Sequence, residues 1–216
     1  NALGGFLLHA CLFRNIMGQG VQIVARPGES PWGKTAEDWR DHKAHRENEP
    51  QVIRACAFTQ VGRPLMSERA SYAISLFEDT LNPATVHCCY LETEWEPWLD
   101  SSGIMRRSAG AVMIHGRKTM SLEDTYIRYP HGDRAVVQLW YDYDTPRGMH
   151  VLVKGCEIHA HEDVDIRIRE GDACQIKGNQ GTAQVTVSTN EPYRFSNHFQ
   201  KTKILHQGPI SQDWST

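Results

Sequence analysis

The sequence predicts a mainly β protein: an antiparallel β-sandwich, most naturally a jelly roll, with an α-containing N-terminal region. Three observations predict it. From residue 84 onward, eight or nine short runs of alternating apolar and polar residues recur between turn signals. No helix-length pattern interrupts them. The first 80 residues, in contrast, carry loop signals and two stretches of helical spacing. On this reading residues 1–83 are a segment of loops and two short helices packed on the body, and residues 84–216 are the sandwich domain.

The elements follow in chain order. The apolar run from Phe6 to Phe13 is broken by His9 and is far too short to span a bilayer, so it packs on the body or on a neighbouring subunit. RPGESPWG (26–33) is a loop. In the segment that follows, Thr35 can cap a helix, with Glu37 and Asp38 in its first turn and Lys43 and Arg46 near its end. His42 and His45 share one face of that polar helix. QVIRACAFTQ (51–60) reads as one strand. Ala70, Ala73, Ile74 and Phe77 recur at helical spacing and predict a second helix from Ser67 to about Asp79. ATVHCCYLE, with Cys88 and Cys89 on opposite faces, and SAGAVMIHG are strands. RAVVQLWYDY and MHVLVKGC flank the turn Thr145-Pro146-Arg147-Gly148, which predicts a hairpin over 134–156. VDIRI, ACQIKG, TAQVTVS and KTKIL complete the set, and no internal repeat is evident.

Composition narrows the function classes. The chain has 216 residues with 23 basic and 26 acidic side chains, a net charge of −3, and a pI near 6.4. There is no long Lys/Arg stretch and so no electrostatic footprint for nucleic acid. The six cysteines form no CxxC pair, which removes zinc-ribbon and thioredoxin readings and favours reduced, mostly buried thiols in an intracellular compartment. No Asn-x-Ser/Thr sequon is present. The expected molecule is soluble, with no membrane span.

The stretch GCEIHAHEDVDIRIREGD (155–172) carries the principal candidate site. On one extended strand His159, His161, Asp163 and Asp165 would project from one face. Two imidazoles and a carboxylate are the ligand set of a non-haem iron, manganese or zinc site. His198, in PYRFSNHFQ, could close it from across the barrel. Period 2 also gives the opposite expectation: with Val164, Ile166 and Ile168 in the core, the histidines face water. Further candidates are the pair His131 and Asp133, the acidic and aromatic run Glu92–Trp98, and Arg134, Gln138, Tyr141 and His150, whose residue types suit β-elimination on an acidic polysaccharide.

The run from His159-Ala160-His161 through Asp165, Ile166, Ile168, Glu170 and Gly171 resembles the first motif of the cupins, and Pro192 to His198 is faintly similar to the second. Together they cover about 40 residues. Asp165 stands where the family has glutamate, Arg194 where it has glycine, and Asn197 where it has histidine. The resemblance implies a jelly roll with a divalent metal (Fe, Mn or Zn) on His159, His161, Asp165 and His198. The leading function expected is a non-catalytic structural subunit that self-associates or joins other protein subunits, such as a viral coat or occlusion-type assembly. The alternatives are a metal-dependent cupin-like enzyme or metal-binding protein acting on a small polar substrate, and a β-sandwich polysaccharide lyase.

Overall fold

The computed structural model describes residues 5–24, 50–63, 72–80, 83–106, 110–116, 119–132, 135–141, 150–168 and 172–189. These form a parallel β-helix, a solenoid of six coils with three faces. The first coil holds β1 (Phe6–His9), β2 (Leu12–Met17) and β3 (Val21–Val24), and the second β4 (Gln51–Arg54), β5 (Ala57–Arg63) and β6 (Tyr72–Thr80). The third holds β7 (Ala84–His87) and β8 (Tyr90–Glu92), a two-stranded excursion of β9 (Trp98–Leu99) and β10 (Met105–Arg106), then β11 (Gly110–Gly116). The fourth is β12 (Met120–Glu123), β13 (Tyr126–Tyr129) and β14 (Val137–Tyr141). The fifth is β15 (His150–Lys154), β16 (Glu157–Ala160) and β17 (Val164–Ile168). The sixth is β18 (Ala173–Lys177), β19 (Gln180–Gly181) and β20 (Val185–Thr189). Face I stacks β1-β4-β7-β12-β15-β18, face II β2-β5-β8-β13-β16-β19 and face III β3-β6-β11-β14-β17-β20. Every neighbouring pair in the three faces is parallel; only β9 and β10 pair antiparallel.

Alternation within each strand builds the interior. Inward positions stack coil upon coil about 4.8 Å apart. One such column on face I runs Leu8, Ile53, Val86, Leu122, Val153, Ile176, and one on face II runs Phe13, Phe58, Leu91, Ile127, Ile158. All but the first-coil members are buried, because the first coil has no described coil above it. Phe13 and Phe58 stack with centroids 4.6 Å apart. On the outward row of face III, Ser75 and Gln138 are buried as well, while Gln22 is exposed.

The corner between faces I and II repeats six times with one conformation. Ala10, Ala55, Cys88, Asp124, Gly155 and Gly178 all sit in the left-handed region, with φ between 47° and 65°. Only glycine enters that region without a steric cost, yet four coils use another residue. The compensation is a chain of corner hydrogen bonds. The N–H groups of Ala10, Ala55, Cys88, Asp124 and Gly155 donate to Arg54, His87, Glu123, Lys154 and Lys177 O, at 2.8–3.1 Å.

The residue after each corner points inward, and here lie four of the six cysteines: Cys11, Cys56, Cys89, Thr125, Cys156 and Asn179 form one column. Their side chains give corner carbonyls a second donor, and Thr125 and Asn179 also give an acceptor to the N–H groups of Cys89 and Cys156. The Cys56 thiol donates to Arg54 O at 3.2 Å, Cys89 to His87 O at 3.3 Å and Cys156 to Lys154 O at 3.4 Å. Thr125 Oγ1 donates to Glu123 O at 2.8 Å and accepts the Cys89 N–H at 3.2 Å. Asn179 does both, accepting from Cys156 N at 2.9 Å and donating to Val153 O at 3.0 Å. Burial pushes the Cys89 thiol up to about 11 and the Cys156 thiol up to about 12, so both stay protonated as donors. All six cysteines are free.

Several expectations are corrected. The sandwich or jelly roll with antiparallel strands is replaced by three all-parallel sheets. That removes the cupin resemblance too, because a jelly roll pairs its strands antiparallel. No helix occurs among the described residues. The second expected helix is, over Tyr72–Thr80, strand β6, with Ala73, Ile74 and Leu76 all buried between its two parallel neighbours. The expected hairpin over 134–156 does not form: β14 pairs with β11 and β17, whereas β15 pairs with β12 and β18 on another face. Residues on both sides of position 83 contribute to the same three sheets. The expected helix around His42 and His45 and the strand KTKIL lie outside the described residues. Among the described residues no helix is long and apolar enough to cross a membrane.

Candidate metal centre at a solenoid corner

The corner brings together side chains that are distant in sequence. His87 ends β7 pointing outward, Cys88 takes the left-handed corner position, and Asp124 takes the same position one coil on. His87 and Glu123 are register partners, so Asp124 follows directly beneath Cys88. The left-handed backbone turns Cys89 inward and leaves Cys88 exposed. His87 Nε2 lies 3.2 Å from Asp124 Oδ2 and 3.2 Å from Cys88 Sγ. All three donor atoms lie within 4.8 Å of one another, and among the described residues this is the one such group of metal-ligating side chains. His87 is half-buried; Cys88 and Asp124 are exposed.

Gly155 occupies the next corner along and leaves the space that Asp124 uses. A Cβ at position 155 would lie 2.3 Å from Asp124 Oδ1. No comparable obstruction arises at Gly178, where the nearest atoms would be 3.8 and 4.0 Å away.

The arrangement differs from a nucleophile–base–carboxylate relay. In a relay the imidazole faces the nucleophile with one nitrogen and the carboxylate with the other. Here both partners converge on the same nitrogen, and a single proton cannot serve both. Donors grouped around a shared centre are instead what a cation needs. Ligands at roughly 2.0–2.3 Å in tetrahedral geometry stand about 3.5 Å apart, close to the spacing observed. The set can therefore chelate a metal.

The residues singled out from sequence are placed as follows. His159 lies on β16, pointing outward from face II, with Nε2 2.8 Å from Glu157 Oε1. His161 is exposed in the bend that follows, and Asp165 lies on β17 of face III. The chain thus turns a corner at 161–163 instead of running straight, and His159, His161 and Asp165 are not gathered at ligating distance. Asp165 holds Arg167 through contacts of 2.8 and 3.1 Å. Arg167 in turn lies 3.6 Å over the Trp140 ring, whose other neighbour in the stack is His115 at 4.8 Å. Asp163 accepts a hydrogen bond from Thr186 at 2.8 Å. His198 and Asp133 lie outside the described residues, and His131 sits 3.5 Å from Glu96. Of the elimination set, Gln138 is buried on β14 and His150 exposed on β15. Val164, Ile166 and Ile168 are all fully buried.

Sequence reasoning missed His87, Cys88 and Asp124. The available signal was the pair His87-Cys88 aligned with Glu123-Asp124 in the repeating corner pattern. Comparison of the chain with protein-family models, curated proteins and solved structures returned no match.

Proposed function

We propose that the protein is a metal-binding β-helix in which His87, Cys88 and Asp124 hold a divalent cation of the zinc class. The observation that carries this reading is the convergence of the carboxylate and the thiol on His87 Nε2. One nitrogen, one sulfur and one oxygen donor suit Zn²⁺ and exclude the all-oxygen preference of Ca²⁺ and Mg²⁺. Three protein ligands on an open corner leave a fourth position for water or a small polar ligand, and a bound Zn²⁺ would act there as a Lewis acid.

The test is metal analysis of purified protein together with titration by Co²⁺, whose thiolate charge-transfer band reports Cys88 directly. One equivalent is expected, with affinity falling about tenfold or more in Cys88→Ser and in Asp124→Asn. All three side chains point away from the core, so the variants keep the fold. Uptake that is substoichiometric, or unchanged in both variants, sinks the reading.

A second reading, self-assembly, has its own observation. Leu7, Leu12 and Met17 of the first coil are exposed, as are Leu99, Ile104 and Met105 on the β9–β10 excursion. Sedimentation velocity decides it: a concentration-dependent oligomer lost in Leu7→Lys supports assembly, and a monomer at all concentrations removes it.

A further inference from the structure

The outward rows of face II contain a gap in a ladder of side chains. One row reads Leu12, Ala57, Tyr90, Tyr126, Glu157, Gln180, and the next reads Arg14, Thr59, Glu92, Arg128, His159. Tyr90 and Tyr126 stack with centroids 5.0 Å apart and planes within 9°. The Tyr90 hydroxyl donates to Glu92 Oε2 at 2.5 Å, and Glu92 is itself held by Arg128 at 3.0 Å. The Tyr90 ring is therefore fixed on one face and at its tip. Its other face looks over Ala57, which offers only a methyl group. Beyond Ala57 stands Leu12, 68% exposed, while Tyr90 is itself 39% exposed.

The spacing defines what fits. Coils stack about 4.8 Å apart, so Leu12 and Tyr90 stand roughly 9.6 Å apart along the solenoid. A flat ring in contact with both needs about 7–8 Å. The gap takes one ring, with Ala57 as floor. Arg14, directly stacked on Thr59, is exposed at the side of the gap and makes no ion pair among the described residues. Arg128 is shared between Glu92 and Glu94, which leaves a net negative cluster on the far side of Tyr90, and Arg14 is the cation beside the gap itself. Tyr90 is held neutral, because its bond to Glu92 pushes the phenol up to about 12.

We propose that this gap is a binding site for a planar aromatic carboxylate, its ring stacked on Tyr90 above Ala57 and its anion paired with Arg14. Preorganisation favours it: Tyr90 loses no further freedom when a ligand arrives. The site shares no residue with the metal centre and needs no metal.

The experiment titrates 2-naphthoate into the full chain in the presence of EDTA, following the Ala57 methyl by NMR. A saturable downfield ring-current shift is expected, because the methyl lies at the edge of the stacked ring. Ala57→Leu fills the gap from an outward, half-exposed position and should weaken binding at least tenfold with an unchanged circular-dichroism spectrum. Arg14→Gln should weaken 2-naphthoate several-fold and leave the neutral 2-naphthol unaffected. An Ala57 methyl that does not move at millimolar naphthoate overturns the proposal. So does Ala57→Leu binding as tightly as wild type, or Arg14→Gln weakening acid and alcohol alike.

Discussion

At Gly155 and Gly178 the backbone conformation is the same and the surroundings differ. Each has φ near 65°, so alanine at either costs about 1 kcal/mol for the left-handed backbone. Only at 155 would the added methyl displace Asp124. Gly155→Ala and Gly178→Ala are therefore expected to melt alike within a few degrees, whereas zinc affinity falls only in Gly155→Ala; calorimetric titration of both checks this. Asn179 supplies a second residue-level case. It donates one buried hydrogen bond and accepts another. Asn179→Ala strands the Cys156 N–H and takes one donor from the Val153 carbonyl, and should cost about 2 kcal/mol, read as a lower urea midpoint at unchanged slope. Neither role was legible from sequence. Cys88-Cys89 were expected on opposite faces of a straight strand, and their opposite exposures come instead from a left-handed corner that the residue types Cys and Asp do not announce.

Many of the strands beyond residue 84 were legible, but their partners were not, and β6 carries the apolar spacing of a helix. Alternation in VDIRI correctly places Val164, Ile166 and Ile168 inward. Alternation with one polar side is the usual mark of antiparallel sheets, since parallel ones are ordinarily covered on both faces. On faces I and II of this solenoid the outer side meets water, so parallel strands carry the antiparallel pattern. The rows this creates also store electrostatic stability. The Tyr90 hydroxyl, and behind it the Arg128 guanidinium, hold Glu92 below the usual carboxylate range, and His159 and Gln180 do the same for Glu157. A depressed folded-state pKa adds stability at neutral pH that is lost as pH falls through it. The melting temperature should therefore decline from about pH 4.5 downward. Glu92→Gln should make that decline shallower, and a scan of melting temperature against pH tests it.

A solenoid is held together by neighbour-to-neighbour packing, so its stability varies along the axis. Leu122 is fully buried between Val86 and Val153, and Leu122→Ala should cost about 2–5 kcal/mol. Leu8, in the same column but at the half-buried first coil, should cost roughly half as much or less; chemical denaturation of both variants compares them. The repeat behind this axis stands in the sequence: FLLHAC, QVIRAC, ATVHCC, MSLEDT, VLVKGC and CQIKGN are six versions of one corner. It escapes notice because successive copies begin at 6, 51, 84, 120, 151 and 174. One of the longer intervals carries the β9–β10 excursion. Six equivalent corners also repeat most of the chelating set's backbone, but not the space it needs. In the first two coils His9, Ala10 and Ala55 hold the stations of His87, Cys88 and Asp124, with the left-handed backbone already in place. The match ends at the following corner: Asp124 has the open space over Gly155, whereas an aspartate at 55 would meet Cys88, so a second copy would need Ala10→Cys, Ala55→Asp and Cys88→Gly together and could be written only by erasing the first.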